Sequence, residues 1–177
     1  MSASGKRVHN GKSPQRNKKI QSPPKKRRKT DTEENAIKVI LGAYEIYHKY
    51  RVIVKEGGIK LILNTMKRHR EDGRVQKNGC AALLYIAREN ADNQKTIAKE
   101  GGIKVILDAM DKYQENGDVQ ENGCGTLVNL ACDDDDNKKT IAKEGGINVI
   151  LDAMKRHKKN EYVQTYGRDA LSNLLGV

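Results

Sequence analysis

Five groups of side chains have types and spacings that could do chemistry. Asp133, Asp134, Asp135 and Asp136 are four consecutive carboxylates, the oxygen donors a hard cation takes. Cys80, Cys124 and Cys132 are candidate thiolates, and His69 and His157 candidate bases or metal ligands. Pro23, Pro24, Lys25, Lys26, Arg27, Arg28 and Lys29 set five cations behind two prolines, suited to pairing with carboxylates or phosphates. Asn78, Asn122, Asn129 and Asn173 are amides, which both donate to and accept from a peptide backbone.

The elements that must position these groups follow from a repeat. Lys-Glu-Gly-Gly-Ile begins at Lys55, Lys99 and Lys143, a period of 44. Residues 55–98 and 99–142 agree at 24 of 44 positions, and 143–177 agrees with the second copy at 18 of 35. Such a period belongs to units of two or three stacked helices. One unit reads as three helices. The first runs from Asn137 to Glu144, capped by Asp136 or Asn137, with the acids favouring its N-terminal dipole. Gly145-Gly146 ends it. The second starts at Ile103, and Ile103, Ile106, Leu107 and Met110 form its apolar stripe. The third starts near Asp118 after Asn116-Gly117, and buries Val119, Gly123, Leu127, Leu130 and Ala131. Gly123 recurs as Gly79 and Gly167. A helix-interior glycine costs about 1 kcal/mol relative to alanine, so these mark crossings too close for a Cβ.

The repeat weighs against catalysis. One period before the aspartate run stands Glu89-Asn90-Ala91-Asp92, and the run lacks the glycine and spaced ligands of a calcium loop; it reads as a solvated cap. Cys80 and Cys124 occupy one place in successive units and read as buried hydrophobes; Cys132, beside acids, has no thiolate-favouring neighbour. His69 and His157 share a position with Tyr113, so helix-end cations or solvated rings explain them better than a metal does. No phosphate loop, nucleophile–base order or cofactor motif stands out, and the expectation is no enzyme, cofactor or metal.

"VQENGCGTLVNLA" followed by "NKKTIAKEGGI" resembles the armadillo repeat, and the resemblance covers 55–177. It implies an all-α, right-handed armadillo-type α-solenoid with two full 44-residue repeats and a partial repeat at each end. It also implies that the third helices line a concave groove for extended peptides. Peptide-binding members of the family carry a Trp and, four residues later, an Asn on that helix. Here the Trp position holds Ala81, Gly125 and Asp169, and the Asn position Tyr85, Asn129 and Asn173. Without Trp there are no slots for the stems of Lys or Arg, which argues against a cargo receptor of the importin kind. Gly125 leaves space instead. The candidate partner-binding face is Asn78, Ala81, Tyr85, Asn122, Gly125, Asn129, Tyr166, Asp169 and Asn173. Two roles are open for Asn129 and Asn173: contact with a ligand, or holding adjacent repeats in register.

Composition completes the layout. The chain has 177 residues and a formal net charge of +11. Residues 1–30 hold 11 of the 34 basic residues and no acid, which leaves 23 basic against 23 acidic residues elsewhere. The arm should be a disordered tail, because it has too little apolar surface to offset its entropy. Residues 31–56 read as a capping helix worth half a repeat, since "IKVILGAY" at 37–44 resembles "IKVILDAM" at 103–110. Residues 57–177 are the repeats. Beyond Leu171, Leu174 and Leu175 nothing covers the last unit. Three readings stay open there: a core sufficient as it stands, an edge completed by a second chain or another protein, and a truncated or misjoined gene product.

The expected function is a non-catalytic protein–protein interaction scaffold, nuclear, with cytoplasm as the alternative location. Its groove takes a protein or extended peptide, and Asp118, Glu121 and Asp169, with the Asp133–Asp136 run, suit a basic guest, the chain's own arm included. The run 23–29 resembles a monopartite nuclear import signal for an import receptor, and phosphate on Ser22 should weaken it. The alternative is a nucleic-acid-associated protein whose tail grips phosphates. Neither a membrane-spanning stretch nor a secretory signal is present.

Overall fold

A computed structural model describes residues 57–177. The expected tail, its basic run 23–29 and the expected capping helix 31–56 lie outside the described residues. Among the described residues there are eight helices and no strand: α1 (Gly58–Arg68), α2 (Gly73–Ala87), α3 (Ala91–Lys99), α4 (Gly102–Lys112), α5 (Gly117–Ala131), α6 (Asp135–Lys143), α7 (Gly146–Arg156) and α8 (Glu161–Leu175). They form a leading pair followed by two triplets, and α1, α4 and α7 begin 44 residues apart.

The paired glycines have separate jobs. Gly101 and Gly145 adopt left-handed conformations, φ 77° and 82°, and act at once as the turn out of one helix and the N-cap of the next. The following glycine permits a close approach. A Cβ at Gly102 would lie 2.7 Å from Ile97 O, and one at Gly146 2.8 Å from Ile141 O. The first helices therefore dock against the second with almost no loop. Their start differs from expectation. Helix α6 begins at Asp135, and its cap is Asp134, whose carboxylate accepts from Asn137 N at 2.9 Å. Asn90 does the same for α3. A helix cap bonds two or three residues ahead, so Asp136 and Asn137 fall inside the first turn.

The expected stripes form the core. Ile103, Ile106, Leu107 and Met110 of α4 are buried, as are Val119, Gly123, Leu127, Leu130 and Ala131 of α5. The recurring helix-interior glycines meet a methionine of the preceding helix. A Cβ at Gly79, Gly123 or Gly167 would lie within 2.6 Å of Met66, Met110 or Met154. Ile147, equivalent to the buried Ile103, is only half-buried, because it belongs to the last described unit. Leu171 and Leu174 pack against the core, and the uncovered apolar side chains of this unit are Leu151, Tyr162, Leu175 and Val177.

Candidate functional site

Helices α2, α5 and α8 form a continuous layer, with α5 packed against both α2 and α8. This layer carries every residue of the candidate face. Two rows of amides organise it.

The first row went unrecognised in the sequence. Gln76, Gln120 and Gln164 sit in the first turn of α2, α5 and α8. Each side-chain amide donates to two carbonyls at the end of the preceding helix. Gln120 Nε2 bonds Met110 O at 2.8 Å and Tyr113 O at 2.9 Å; Gln76 bonds Met66 O and His69 O at 3.0 Å each. Gln164 bonds Met154 O and His157 O at 2.8 and 3.3 Å. The last carbonyls of a helix lack intrahelical partners; each glutamine satisfies the methionine carbonyl, adds a second donor to the cap carbonyl that the following turn already bonds, and so ties two helices together. The signal was a Val-Gln pair recurring at 75, 119 and 163, four residues before each recurring glycine.

The second row is the expected one. Asn129 Nδ2 donates to Leu84 O at 3.2 Å, and Asn173 Nδ2 to Val128 O at 3.4 Å. Both bonds join a third helix to the third helix one unit earlier. The side chains are half-buried. An amide oxygen takes no part in such a bond, so it stays able to accept a donor.

The rest of the face is mixed. Asn122 Nδ2 bonds Asp118 O within its own helix. Tyr85 is 39% exposed, with the Arg88 guanidinium 5.5 Å from its ring centroid. Asn78 and Ala81 are half-buried, and Asp169 is exposed. Gly125 does not leave an open slot: it is buried, and a Cβ there would sit 3.0 Å from Leu84 Cδ1 and 3.2 Å from the Tyr166 ring. The missing Cβ is what lets Tyr166 lie over α5. Its ring stands 6.3 Å from that of Tyr162. Of the three acids, Asp118 pairs with Lys77 at 3.0 Å, and burial pushes Glu121 above the ordinary carboxyl range despite a hydrogen bond from Asn160.

The groups set aside are structural in two further ways. Tyr113 and His157 are not merely solvated. The Tyr113 hydroxyl donates to Arg70 O at 3.0 Å, and His157 Nε2 lies 2.7 Å from Gln114 O, so that nitrogen carries the proton. Both bonds cross a unit junction. Burial pushes the Cys80 and Cys124 thiols up to about 12, and the carboxylate of Asp133 holds the exposed Cys132 thiol up as well. Among the described residues no cluster of His, Cys, Asp or Glu is placed to hold a metal ion. None of the described helices is long and apolar enough to cross a membrane.

The family described as "Protein zer-1 homolog-like, C-terminal domain", an armadillo-like helical domain, matches residues 64–175. No curated protein matches the chain. Two engineered proteins with crystal structures from the Northeast Structural Genomics Consortium share the fold. The first superposes with a TM-score of 0.65 at 23% identity, over 86% of this chain and 59% of its own. The second gives 0.63 at 24%, over 80% of this chain and 32% of its own. The chain thus spans less than two thirds of either, and the likeness is one of fold.

Proposed function

The chain belongs to the zer-1 homolog-like C-terminal domain family, and we propose that it is a non-catalytic interaction scaffold built as a right-handed armadillo-type solenoid. The third-helix layer is its partner-binding face. The observation that carries this reading is the division between the amide rows. Each glutamine donates two bonds to the architecture, and Gln76 and Gln120 are buried, whereas Asn129 and Asn173 are half-buried and donate one bond each. They stand at equivalent positions of successive units on the third-helix layer, and each keeps an amide proton and an oxygen beyond that bond. Tyr85, Tyr166 and Asp169 flank them with apolar and acidic surface, which suits an extended guest with a cationic side chain.

The basic run 23–29 supplies nuclear import in this reading. Deleting those residues from a fluorescent fusion should abolish nuclear accumulation; unchanged accumulation removes the signal. One sequence observation favours a second reading. The arm concentrates 11 cations without an acid, which would also grip nucleic-acid phosphates. Its affinity would then fall with log salt at a slope of about −0.9 per phosphate contact on duplex DNA. For the face itself, affinity capture should compare the parent with Asp169→Arg and Tyr85→Ala, two exposed positions. Partners lost in both variants, with thermal stability unchanged, support the groove; partners retained in both refute it.

A further inference from the structure

The two internal junctions use one set of contacts. Glu71 pairs with Lys112, and 44 residues on Glu115 pairs with Arg156 at 2.6 Å. Lys60 pairs with Glu100 at 3.3 Å, and Lys104 reaches Glu144 at 4.0 Å. Leu84 O and Val128 O each receive an asparagine amide from the next unit. Leu63 and Leu107 are 1% and 4% exposed.

On the outer face of the last described unit the charged positions and the carbonyl's partners differ, and the leucine is kept but uncovered. Lys159 stands where Glu71 and Glu115 stand, and Asn148 where Lys60 and Lys104 stand. Ser172 O, equivalent to Leu84 O and Val128 O, already accepts from Gly176 N at 2.9 Å and Val177 N at 3.4 Å. A carbonyl has two lone pairs, so no acceptor is left for an incoming asparagine. Leu151, equivalent to Leu63 and Leu107, is 49% exposed, and Leu175 is exposed where Ala87 and Ala131 are buried. Lys155, Lys158 and Lys159 are exposed, and none forms an ion pair with a described residue. The acids nearby in sequence are Asp152 and Glu161; with Arg156 included, this stretch keeps a positive balance.

We infer that this outer face docks an amphipathic helix of another protein, one that carries a carboxylate opposite Lys159. Leu151 and Leu175 give it an apolar seat. The charge reversal says what the occupant is not. A further unit of the same kind would set a cation against Lys159, and so would a second copy stacked in register, through Arg68. The surface is separate from the third-helix face and does not depend on it.

A charge-swap titration tests this on the full chain. Two synthetic peptides of residues 101–116 serve as probes, one with the native Lys112 and one carrying Lys112→Glu. Methyl NMR follows the leucines. The expected result is a shift of the Leu151 and Leu175 methyls, with the Lys112→Glu peptide saturating at about fivefold lower concentration than the native one. Lys159→Glu in the full chain, an exposed change that leaves the fold intact, should reverse the order, and Leu151→Asn should abolish both responses. Equal responses, no response, or shifts confined to α2, α5 and α8 would overturn the inference. So would dilution-dependent shifts without peptide, which would mean that a second copy holds the face.

Discussion

Two rows of amides run through the described third helices, and they do different work. The glutamine row, Gln76, Gln120 and Gln164, lies in the first turns of the third helices, and Gln120 is 1% exposed. Each member closes a joint inside a unit with two bonds. The asparagine row, Asn129 and Asn173, lies near the other ends of the same helices, and each member makes one longer bond between units. A buried amide that serves two carbonyls is fixed. A half-buried one with a single bond keeps an amide proton as well as its oxygen for something else. The same functional group is architecture in one row and available chemistry in the other because the glutamines serve two carbonyls each and, at positions 76 and 120, are also buried.

The largest test of that contrast is Gln120→Ala. It strips Met110 O of its donor in a closed joint, leaves Tyr113 O with Asn116 N alone, and should cost about 2–3 kcal/mol in urea unfolding. A loss below about 1 kcal/mol would put the two rows on a par. Gly123→Ala acts on the same joint by forcing Met110 aside, and should cost about 2 kcal/mol by the same measurement. Pairing it with Met110→Ala should give a cost smaller than the sum, since the two side chains compete for one space. Asn129→Ala should cost only about 1 kcal/mol, because its single carbonyl partner, Leu84 O, still receives Arg88 N. The smallest effect separates two equivalent residues. Asn93 Nδ2 bonds Ile86 O at 2.8 Å, whereas Asn137 Nδ2 is buried without a partner. Asn93→Ala should therefore destabilise by about 0.5–1 kcal/mol more than Asn137→Ala. Equal costs would show that position, not bonding, sets the value.

The sequence made the stacking legible and left the stitching hidden, for a physical reason. Apolar stripes such as Ile103, Ile106, Leu107 and Met110 declare themselves through helical spacing, and Gly79, Gly123 and Gly167 through their cost in a helix. Both signals are local. The glutamine row recurs as plainly as the glycines, but its partners are backbone carbonyls, which have no sequence signature. Tyr113 and His157 read as solvated for the same reason: each reaches the carbonyl of a residue 43 positions earlier. Gly125 reads as a gap because the ring that fills it, Tyr166, comes from the next unit. Residues facing inward along one helix are readable from one helix. Those that reach across a junction need both sides.

The central claim is that the third-helix layer holds the partner while the internal second helix α4 only builds the array. Site-specific photo-crosslinking in cells reads it directly. A photoreactive residue replaces Asp169 on α8 in one full-length chain and Lys104 on α4 in another; both positions are exposed. The account predicts a partner adduct from position 169 and none from 104. Adducts from 104 alone, or equally from both, would contradict it.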